Sequence, residues 1–575
     1  MKMISKIARI GLGLVLAGSS VFAQSLADAK RAIDAEQYQK AKGMLKNLTV
    51  TQATNDENFF YLGWVYLLQD YTDSAKTTFT KGIAANPKSA LNYAGLGVVS
   101  HLTNDAAGKT ANFAQVASLT GKKDSKPWVY MAQGLLMPLP GSKVANTADV
   151  EAAVVALRDK ARMANPKDAQ AAVELGNAYS AQRNTTEAYN NYNDALTLDP
   201  KLPAANVAQG VQWKNAHNFE AAVEQFKKAI AIDPNYGPAY REWAETDLLW
   251  TENRAVASEK IQEGVANYSK YLSLTDESEE NLMRYADFLI SAGRYQELKD
   301  VATKLSKSAT SNPRIYRYLA YAAFETKDYA AGMAAIRNFY SKVEPKRIIS
   351  RDYFYRGRLT LNDTKDTVAA ITDLKKAADL DSAIADKAYP EIQDILRKQK
   401  RYSEAANAFM DHANAFRGRA MLTQRLNAAI YYYFGFSQKK DSTLLVKADS
   451  ALNYVIRTAT TPVADAYIYK ARVADLRDNS TELDKMVGLA KPYYEKFIET
   501  LVAKPSTDAR QIKNLSEAYA YMGNYYLYHD KDEAKATEMY TKAKEQDPAN
   551  KQADYFFNTY KKAAAPSAAP KKPTK

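Results

Sequence analysis

The chain has 575 residues, of which 46% are hydrophobic and 25% charged, the balance of a protein that folds. Its 78 lysines and arginines outnumber its 65 aspartates and glutamates, which gives a formal net charge of +13. It contains no cysteine, and this excludes disulfides, thiol catalysis and cysteine-ligated metals.

The first residues are typical of an export signal. Three basic residues, an apolar run and two small residues follow one another there: Lys2, Lys6 and Arg9, then residues 10–17, then Val21 and Ala23. We therefore predict a signal peptide at 1–23, cleaved after Ala23. A buried N-terminal helix is the alternative. The apolar run is too short to be a transmembrane helix, which needs roughly 20 residues to span a bilayer. Without a lipid-bearing cysteine, we expect the mature chain in the periplasm or, as a second choice, secreted.

Three windows of 34 residues carry small, aromatic and proline residues at the same offsets. The window 56–89 has Leu62, Gly63, Tyr66, Ala75, Phe79, Gly82 and Pro87. The window 169–202 has Leu175, Gly176, Tyr179, Ala188, Tyr192, Ala195 and Pro200. The window 203–236 has Gly210, Trp213, Ala222, Phe226, Ala229 and Pro234. The pattern predicts two helices per window, with small residues where they approach most closely, an aromatic ring between them and a proline that ends the second helix.

These offsets resemble the tetratricopeptide repeat, a pair of antiparallel helices about 34 residues long. The resemblance implies an all-α protein in which stacked helix pairs form an α-solenoid with a right-handed superhelix and no strands. Weaker units at 35–45, 291–300, 325–336 and 398–409 continue the array. A C-terminal unit fits with one extra residue between its helices: Gly523, Tyr526, Ala536, Tyr540, Ala543 and Pro548. Chance periodicity in an alanine-rich helical protein is the alternative.

The predicted domains follow from these units. We expect an N-terminal array at 24–137 and a main array with divergent repeats at 150–560. The segment 138–149 between them is rich in proline and glycine and is either a break between arrays or a surface insertion. Residues 561–575 are an alanine-, proline- and lysine-rich tail that we expect to be disordered, either as a solvated end or in weak contact with anionic envelope components.

Enzyme motifs and metal-ligand spacings are absent from the sequence. The four histidines, His101, His217, His412 and His529, have no metal-like spacing. No phosphate-binding loop, zinc-protease motif, calcium loop or nucleophile elbow is present. We expect no catalytic residue, no metal and no cofactor.

Tetratricopeptide proteins usually bind partners on the concave face, which the first helix of each pair lines. Carrying those positions over to this chain gives the following partner-binding candidates: Phe60, Trp64, Leu67, Val173, Asn177, Ser180, Val207, Val211, Lys214 and Asn215. Some members clamp a terminal carboxylate with lysine and asparagine. Here Asn177 matches one clamp position, but Val173 and Ala208 replace the required lysine and asparagine, so we expect no clamp.

The sequence therefore predicts an exported, non-catalytic scaffold that binds protein or peptide partners of the cell envelope and does not span the membrane after signal cleavage. A periplasmic or outer-membrane-associated protein that binds a ligand or nutrient is the alternative. Lysines that alternate with acidic residues along helices are typical of solvated faces, so nucleic-acid binding is not expected. The oligomeric state does not follow from the sequence.

Overall fold

The computed structural model describes residues 25–139, 142, 144–307, 312–416, 420–478 and 481–564. Every regular element within these ranges is helical. The chain divides into two compact units, the first ending at Thr310 and the second beginning at Ser311. The predicted signal peptide, 1–23, and the tail beyond residue 564 lie outside the described residues.

Helix pairs fill the first unit, unit 1. Its helices are α1 (Leu26–Asp34), α2 (Tyr38–Thr51), α3 (Asp56–Leu68), α4 (Thr72–Ala85), α5 (Ala90–Leu102), α6 (Ala106–Leu119), α7 (Lys126–Leu135), α8 (Thr147–Ala156), α9 (Arg162–Ala164), α10 (Ala169–Ala181), α11 (Thr185–Leu198), α12 (Pro203–Asn215), α13 (Phe219–Ile232), α14 (Gly237–Trp250), α15 (Ala257–Leu274), α16 (Glu279–Ser291) and α17 (Tyr295–Lys307). A π-helical turn, Leu157–Ala161, joins α8 to α9.

The second unit, unit 2, repeats this organisation. Its helices are α18 (Arg314–Glu325), α19 (Tyr329–Lys342), α20 (Ser350–Asp363), α21 (Thr367–Leu380), α22 (Ser382–Lys398), α23 (Tyr402–Ala415), α24 (Ala420–Lys439), α25 (Ser442–Thr458), α26 (Ala464–Asp475), α27 (Lys491–Ala503), α28 (Ala509–Asn524), α29 (Glu533–Gln546), α30 (Lys551–Tyr555) and α31 (Lys561–Ala564). Short 3-10 turns lie at Pro345–Arg347 and Leu483–Lys485, and π turns at Tyr525–His529 and Phe556–Tyr560.

The predicted fold class, an all-α tetratricopeptide solenoid of antiparallel helix pairs, is confirmed. Its packing has the predicted physical basis. A Cβ atom built on Gly176 would overlap the ring of Tyr192, and one built on Gly210 would overlap the ring of Phe226. In both cases the ring belongs to the second helix of the same pair. Each glycine therefore lets the second helix approach the first closely, with the ring between them.

The turn within a pair has a recurring conformation. The second residue after the first helix adopts a left-handed backbone, with φ of 61° at Arg183 and 58° at His217. The residue that follows caps the second helix, as the Asn184 side chain does by accepting a hydrogen bond from the backbone N–H of Glu187; Asn218 does the same in the next pair. The left-handed residue reverses the chain and the cap satisfies a free N–H, so the two helices become antiparallel neighbours.

The predicted division of the array around 138–149 stays a prediction. Segment 138–149 lies within unit 1, and α7 before it packs against α8 after it, which keeps both sides in one compact body. At the C-terminus, helix α31 extends into the first residues of the predicted tail, and the Lys561 ammonium lies 5.5 Å from the ring centroid of Phe556. No helix in the described part of the chain is long and apolar enough to cross a membrane.

Candidate functional site

A cavity of about 1830 Å³ lies within unit 1. First helices of several pairs form much of its wall: α1, α3, α10 and α12, together with α2 and α7. Turn residues complete the wall at 201–204, 232–238 and 273–276. First helices meet in this way because the repeats stack with the same face turned inward, which is how a solenoid forms a concave surface.

One side of the cavity is bounded by contacts between the beginning of unit 1 and its later helices. Arg241 on α14 lies with its Nη1 atom 2.6 Å from both carboxylate oxygens of Glu36, between α1 and α2. The hydroxyl of Tyr271 on α15 donates to Glu36 Oε2 at 2.7 Å. The backbone N–H of Gln39 donates to the Asp276 carboxylate. We call this set of contacts the latch.

Apolar packing accompanies the latch. Ala35 is 4% exposed and belongs to the same hydrophobic cluster as Phe226, Tyr236 and Ala239. A Cβ atom on Gly237 would lie 3.1 Å from the backbone oxygen of Ala35. The absence of a side chain at Gly237 therefore allows the chain between α1 and α2 to lie against the start of α14.

Two carboxylates on the cavity wall lie in surroundings that disfavour their charge. Glu174 on α10 is 8% exposed, and burial raises the pKa of its carboxyl. Asp34, at the end of α1, is accessible from the cavity, yet protein encloses it enough that burial raises its pKa to about 6. Repulsion from Glu174 also raises the Asp34 pKa, and attraction to Lys30 opposes the rise.

Glu174 is held by amides. Its Oε1 atom accepts hydrogen bonds from Gln133 at 2.7 Å and Gln170 at 2.8 Å, and its Oε2 atom accepts one from Asn177 at 3.0 Å. Asn177 in turn accepts a hydrogen bond from the hydroxyl of Tyr192 at 2.9 Å. These bonds fix the carboxylate in place without neutralising it.

Aromatic rings line the wall beside the carboxylates. Tyr130 on α7 lies between rings of α3, with its centroid 4.9 Å from that of Trp64 and 5.7 Å from that of Tyr61. Burial raises the pKa of Tyr130 well above its usual value, so the phenol is neutral near pH 7. The wall therefore combines flat apolar faces with carboxylates.

The structure brings six of the candidate partner-binding residues onto this wall: Trp64, Val173, Asn177, Ser180, Val207 and Val211. The other four lie elsewhere. Phe60 and Leu67 are buried in the core of the first pairs. Lys214 forms ion pairs with Glu242 and Glu245, and Asn215 is exposed at the end of α12. Whether the six residues bind a partner stays a prediction.

Sequence reasoning missed Asp34, Glu36, Tyr130 and Glu174. A signal was present for Asp34, because the unit at 35–45 was matched as the second helix of a pair, which makes 26–34 a first helix and hence a lining helix. Glu174 is next to Val173, one residue from a candidate. For Tyr130 no recognised repeat unit existed.

A smaller cavity of about 360 Å³ lies in unit 2, at its C-terminal helices. Tyrosines from α28 to α30 and the adjoining π turns line it: Tyr521, Tyr528, Tyr540, Tyr555 and Tyr560. Within the described ranges, no group of histidine, aspartate and glutamate residues is arranged to hold a metal ion in either unit.

Comparison with known proteins finds the repeat itself. Residues 169–202 match the family model for the tetratricopeptide repeat. A DnaJ homolog subfamily C member 7 homolog of Dictyostelium discoideum is 29% identical over 109 residues, which cover 18% of this chain and 19% of that relative. The chain thus matches less than a fifth of that relative's length.

Among solved structures, the C-terminal part of a TPR repeat-containing protein from Cytophaga hutchinsonii is 26% identical, with a TM-score of 0.33, covering 47% of this chain and 97% of that one. A tetratricopeptide repeat protein from Parabacteroides merdae is 18% identical, with a TM-score of 0.32, covering 46% and 97%. The repeat assignment therefore depends on the matched residues 169–202 and on the helix pairs described above.

Proposed function

We propose that this chain is an exported, non-catalytic scaffold that holds a segment of a partner protein in the cavity of unit 1. Its role would be the assembly or maintenance of a complex in the cell envelope. The observation that carries the proposal is the large cavity of unit 1, lined by the helix faces on which a helical-repeat solenoid presents its binding surface.

The size of the cavity favours a polypeptide over a small molecule. Pockets for small ligands have volumes of roughly 300–1,000 Å³, whereas this cavity measures about 1830 Å³. Its wall mixes apolar side chains such as Val207 and Val211 with amides such as Asn177. Such a wall suits the alternating apolar and hydrogen-bonding groups of a peptide segment.

Export is proposed from the sequence of residues 1–23, and the partner is accordingly sought in the periplasm. The measurement that checks export is the mass of the mature chain purified from its own cells. The mass of a chain beginning at Gln24 supports the proposal, and a mass that includes residues 1–23 contradicts it.

Photocrosslinking tests the binding site in those cells. A photoreactive amino acid at Val211 on the cavity wall should form an adduct with a defined envelope protein, which mass spectrometry identifies. The matched control is the same amino acid at Glu224, on the second helix of the same pair, where the side chain is 66% exposed. No adduct at Val211, or the same adduct at both positions, would contradict binding in the cavity.

The alternative, a ligand- or nutrient-binding protein, is favoured by the tyrosine-lined cavity of unit 2. Its volume of about 360 Å³ lies within the small-ligand range, and aromatic faces stack well on sugars and other flat ligands. Calorimetric titration with neutral oligosaccharides tests it. Binding that Tyr555→Ala abolishes and Tyr454→Ala, at an exposed tyrosine of α25, leaves unchanged would support the alternative.

A further inference from the structure

The cavity of unit 1 is acidic although the chain is basic. The lining residues carry six carboxylates, on Asp28, Asp34, Glu36, Glu174, Asp233 and Asp276, and four basic groups, on Lys30, Arg31, Lys40 and Lys201. The whole chain has a net charge of +13. A solvated face of this chain should carry more lysine and arginine than aspartate and glutamate. The wall has the opposite excess, and we therefore ask which occupant would match its negative charge.

Two basic groups beside these carboxylates already have acidic partners. Lys30 forms an ion pair with Glu57 at 3.3 Å, and Arg241 pairs with Glu36 and Glu242. Asp34 has no hydrogen bond or ion pair with any residue in the described part of the chain. Glu174 has only amide donors, as shown above. Neither carboxylate forms an ion pair within the described residues, although Lys30 attracts Asp34 from nearby. Asp233 and Asp276 likewise accept backbone N–H groups and form no ion pair there.

Two buried carboxylates of unit 2 are paired with arginines. Asp352 in unit 2 is fully buried and accepts two hydrogen bonds from Arg317, both at 2.7 Å. Asp373 is paired with Arg356 in the same bidentate way. Such pairing is the usual condition for burying a carboxylate, because an uncompensated buried charge is strongly destabilising. Glu174, which is buried and which only amides contact, lacks such a pairing.

We propose that the bound segment presents a lysine or arginine side chain to Asp34 and Glu174. This inference rests on the proposed function, since it specifies the segment that the cavity holds. The aliphatic stem of such a side chain packs against the rings of Trp64, Tyr61 and Tyr130 while its charged group reaches the carboxylates. A partner's terminal carboxylate is disfavoured, because Glu174 repels it and Val173 supplies no lysine.

Capture of random peptides tests the charge of the occupant. The full chain, with a photoreactive amino acid at Val211, is irradiated with a library of random twelve-residue peptides, and the attached peptides are sequenced. We expect lysine or arginine to be enriched at one position of these peptides. In the double variant Asp34→Asn, Glu174→Gln the enrichment should disappear. The control Glu151→Gln, which removes an exposed charge outside the cavity, should keep it.

The outcomes separate the two proposals. Peptides captured at Val211 without a basic residue, or an enrichment that the double variant keeps, would overturn the charge inference and leave the proposed function standing. No peptide captured above the level at Glu224 would overturn the proposed function and the inference with it.

Affinity measurements give a second test. The best captured peptide is labelled with fluorescein and compared with the same peptide carrying norleucine in place of its basic residue. The double variant should weaken binding of the basic peptide by roughly tenfold or more, the size expected when one side of an enclosed charge pair is removed. Binding of the norleucine peptide should change little. Equal losses for both peptides would indicate damaged packing and contradict a charge contact.

Binding of the basic peptide should also weaken as the pH falls through about 6, the pKa of Asp34, because a protonated carboxyl no longer attracts the cation. The charged and titratable groups that face Asp34 from the surrounding elements are Lys30, Glu174, Tyr61, Tyr130 and Tyr236. The tyrosines stay neutral because burial raises their pKa, and Glu174, whose pKa burial also raises, titrates in the same direction as Asp34. Binding of the basic peptide that stays constant between pH 5 and 8 would contradict the inference.

Discussion

The latch offers a sharp test of how unit 1 is held closed. Replacing Glu36 with glutamine removes the charge that Arg241 and Tyr271 contact, with little change in side-chain volume. The Arg241 and Glu36 side chains are 16% and 19% exposed, so the contact is largely shielded from solvent. Removing one partner of a buried ion pair lowers the free energy of unfolding by about 3–5 kcal/mol. Here Arg241 keeps Glu242 at 3.1 Å, so we expect about 2 kcal/mol, the value of hydrogen bonds to a charged group.

Native-state hydrogen exchange followed by mass spectrometry measures this effect in the full chain. It reports local opening and needs no two-state unfolding, which helical repeats often violate. A loss of about 2 kcal/mol corresponds to roughly thirtyfold faster exchange in α1. The matched control is Glu280→Gln, which breaks the Arg284 ion pair, where the two side chains are 52% and 53% exposed; exposed pairs contribute about 0–1 kcal/mol. Unchanged exchange in α1, or an equal effect of the control, would refute the latch.

Three further substitutions test the packing and the cavity. Gly210→Ala should destabilise the chain by about 1–3 kcal/mol, because the new methyl overlaps the Phe226 ring; thermal unfolding measures this. Gly43→Ala, in α2 with no atom within 4 Å of the added carbon, should stabilise it by about 0.5–1 kcal/mol in the same assay, and a loss of stability would contradict the packing described. Asp34→Asn should raise the unfolding free energy above pH 6. The folded wild type binds the Asp34 proton more tightly than the unfolded chain does, so its stability falls as pH rises from about 4 to about 6. Urea unfolding at pH 4 and pH 8 measures this effect, and the variant should be more stable than the wild type only at pH 8. The gain should be under about 1 kcal/mol because solvent reaches the carboxyl.

Much of the fold could be predicted because it is local. The offset between Gly176 and Tyr192, or between Gly210 and Phe226, lies within one helix pair, and one proline after each second helix marks its end. Even the extra residue of the C-terminal unit was visible, and there the ring of Tyr540 lies against Gly523 as in the other pairs. Contacts between residues close in sequence leave a pattern that one sequence can show.

The cavity could not be predicted from the sequence, because it is formed by contacts between residues far apart in the chain. Glu36 and Arg241 are 205 residues apart in the chain, and whether they meet depends on the rotation added by every intervening pair. Small differences in the rotation between neighbouring repeats add up along a solenoid. The positions taken from the family identified helix faces correctly enough to place Trp64 and Val211 on the wall. They could not indicate that α1 would lie opposite them and bring Asp34 to the same enclosure.

The latch and the two unneutralised carboxylates have opposite effects on stability, and this difference bears on function. Within the latch Glu36 has a charged partner, since it faces Arg241 and the Tyr271 hydroxyl. Asp34, two residues before Glu36, faces no such partner, and its raised pKa means that its ionised form weakens the folded state. The sequence provides an arginine partner for Glu36 but none for Asp34. Proteins depart from fully satisfied interactions mainly at functional sites, so this difference is expected of a binding site. An incoming cation would remove that cost, so that occupancy of the cavity and stability of unit 1 would rise together.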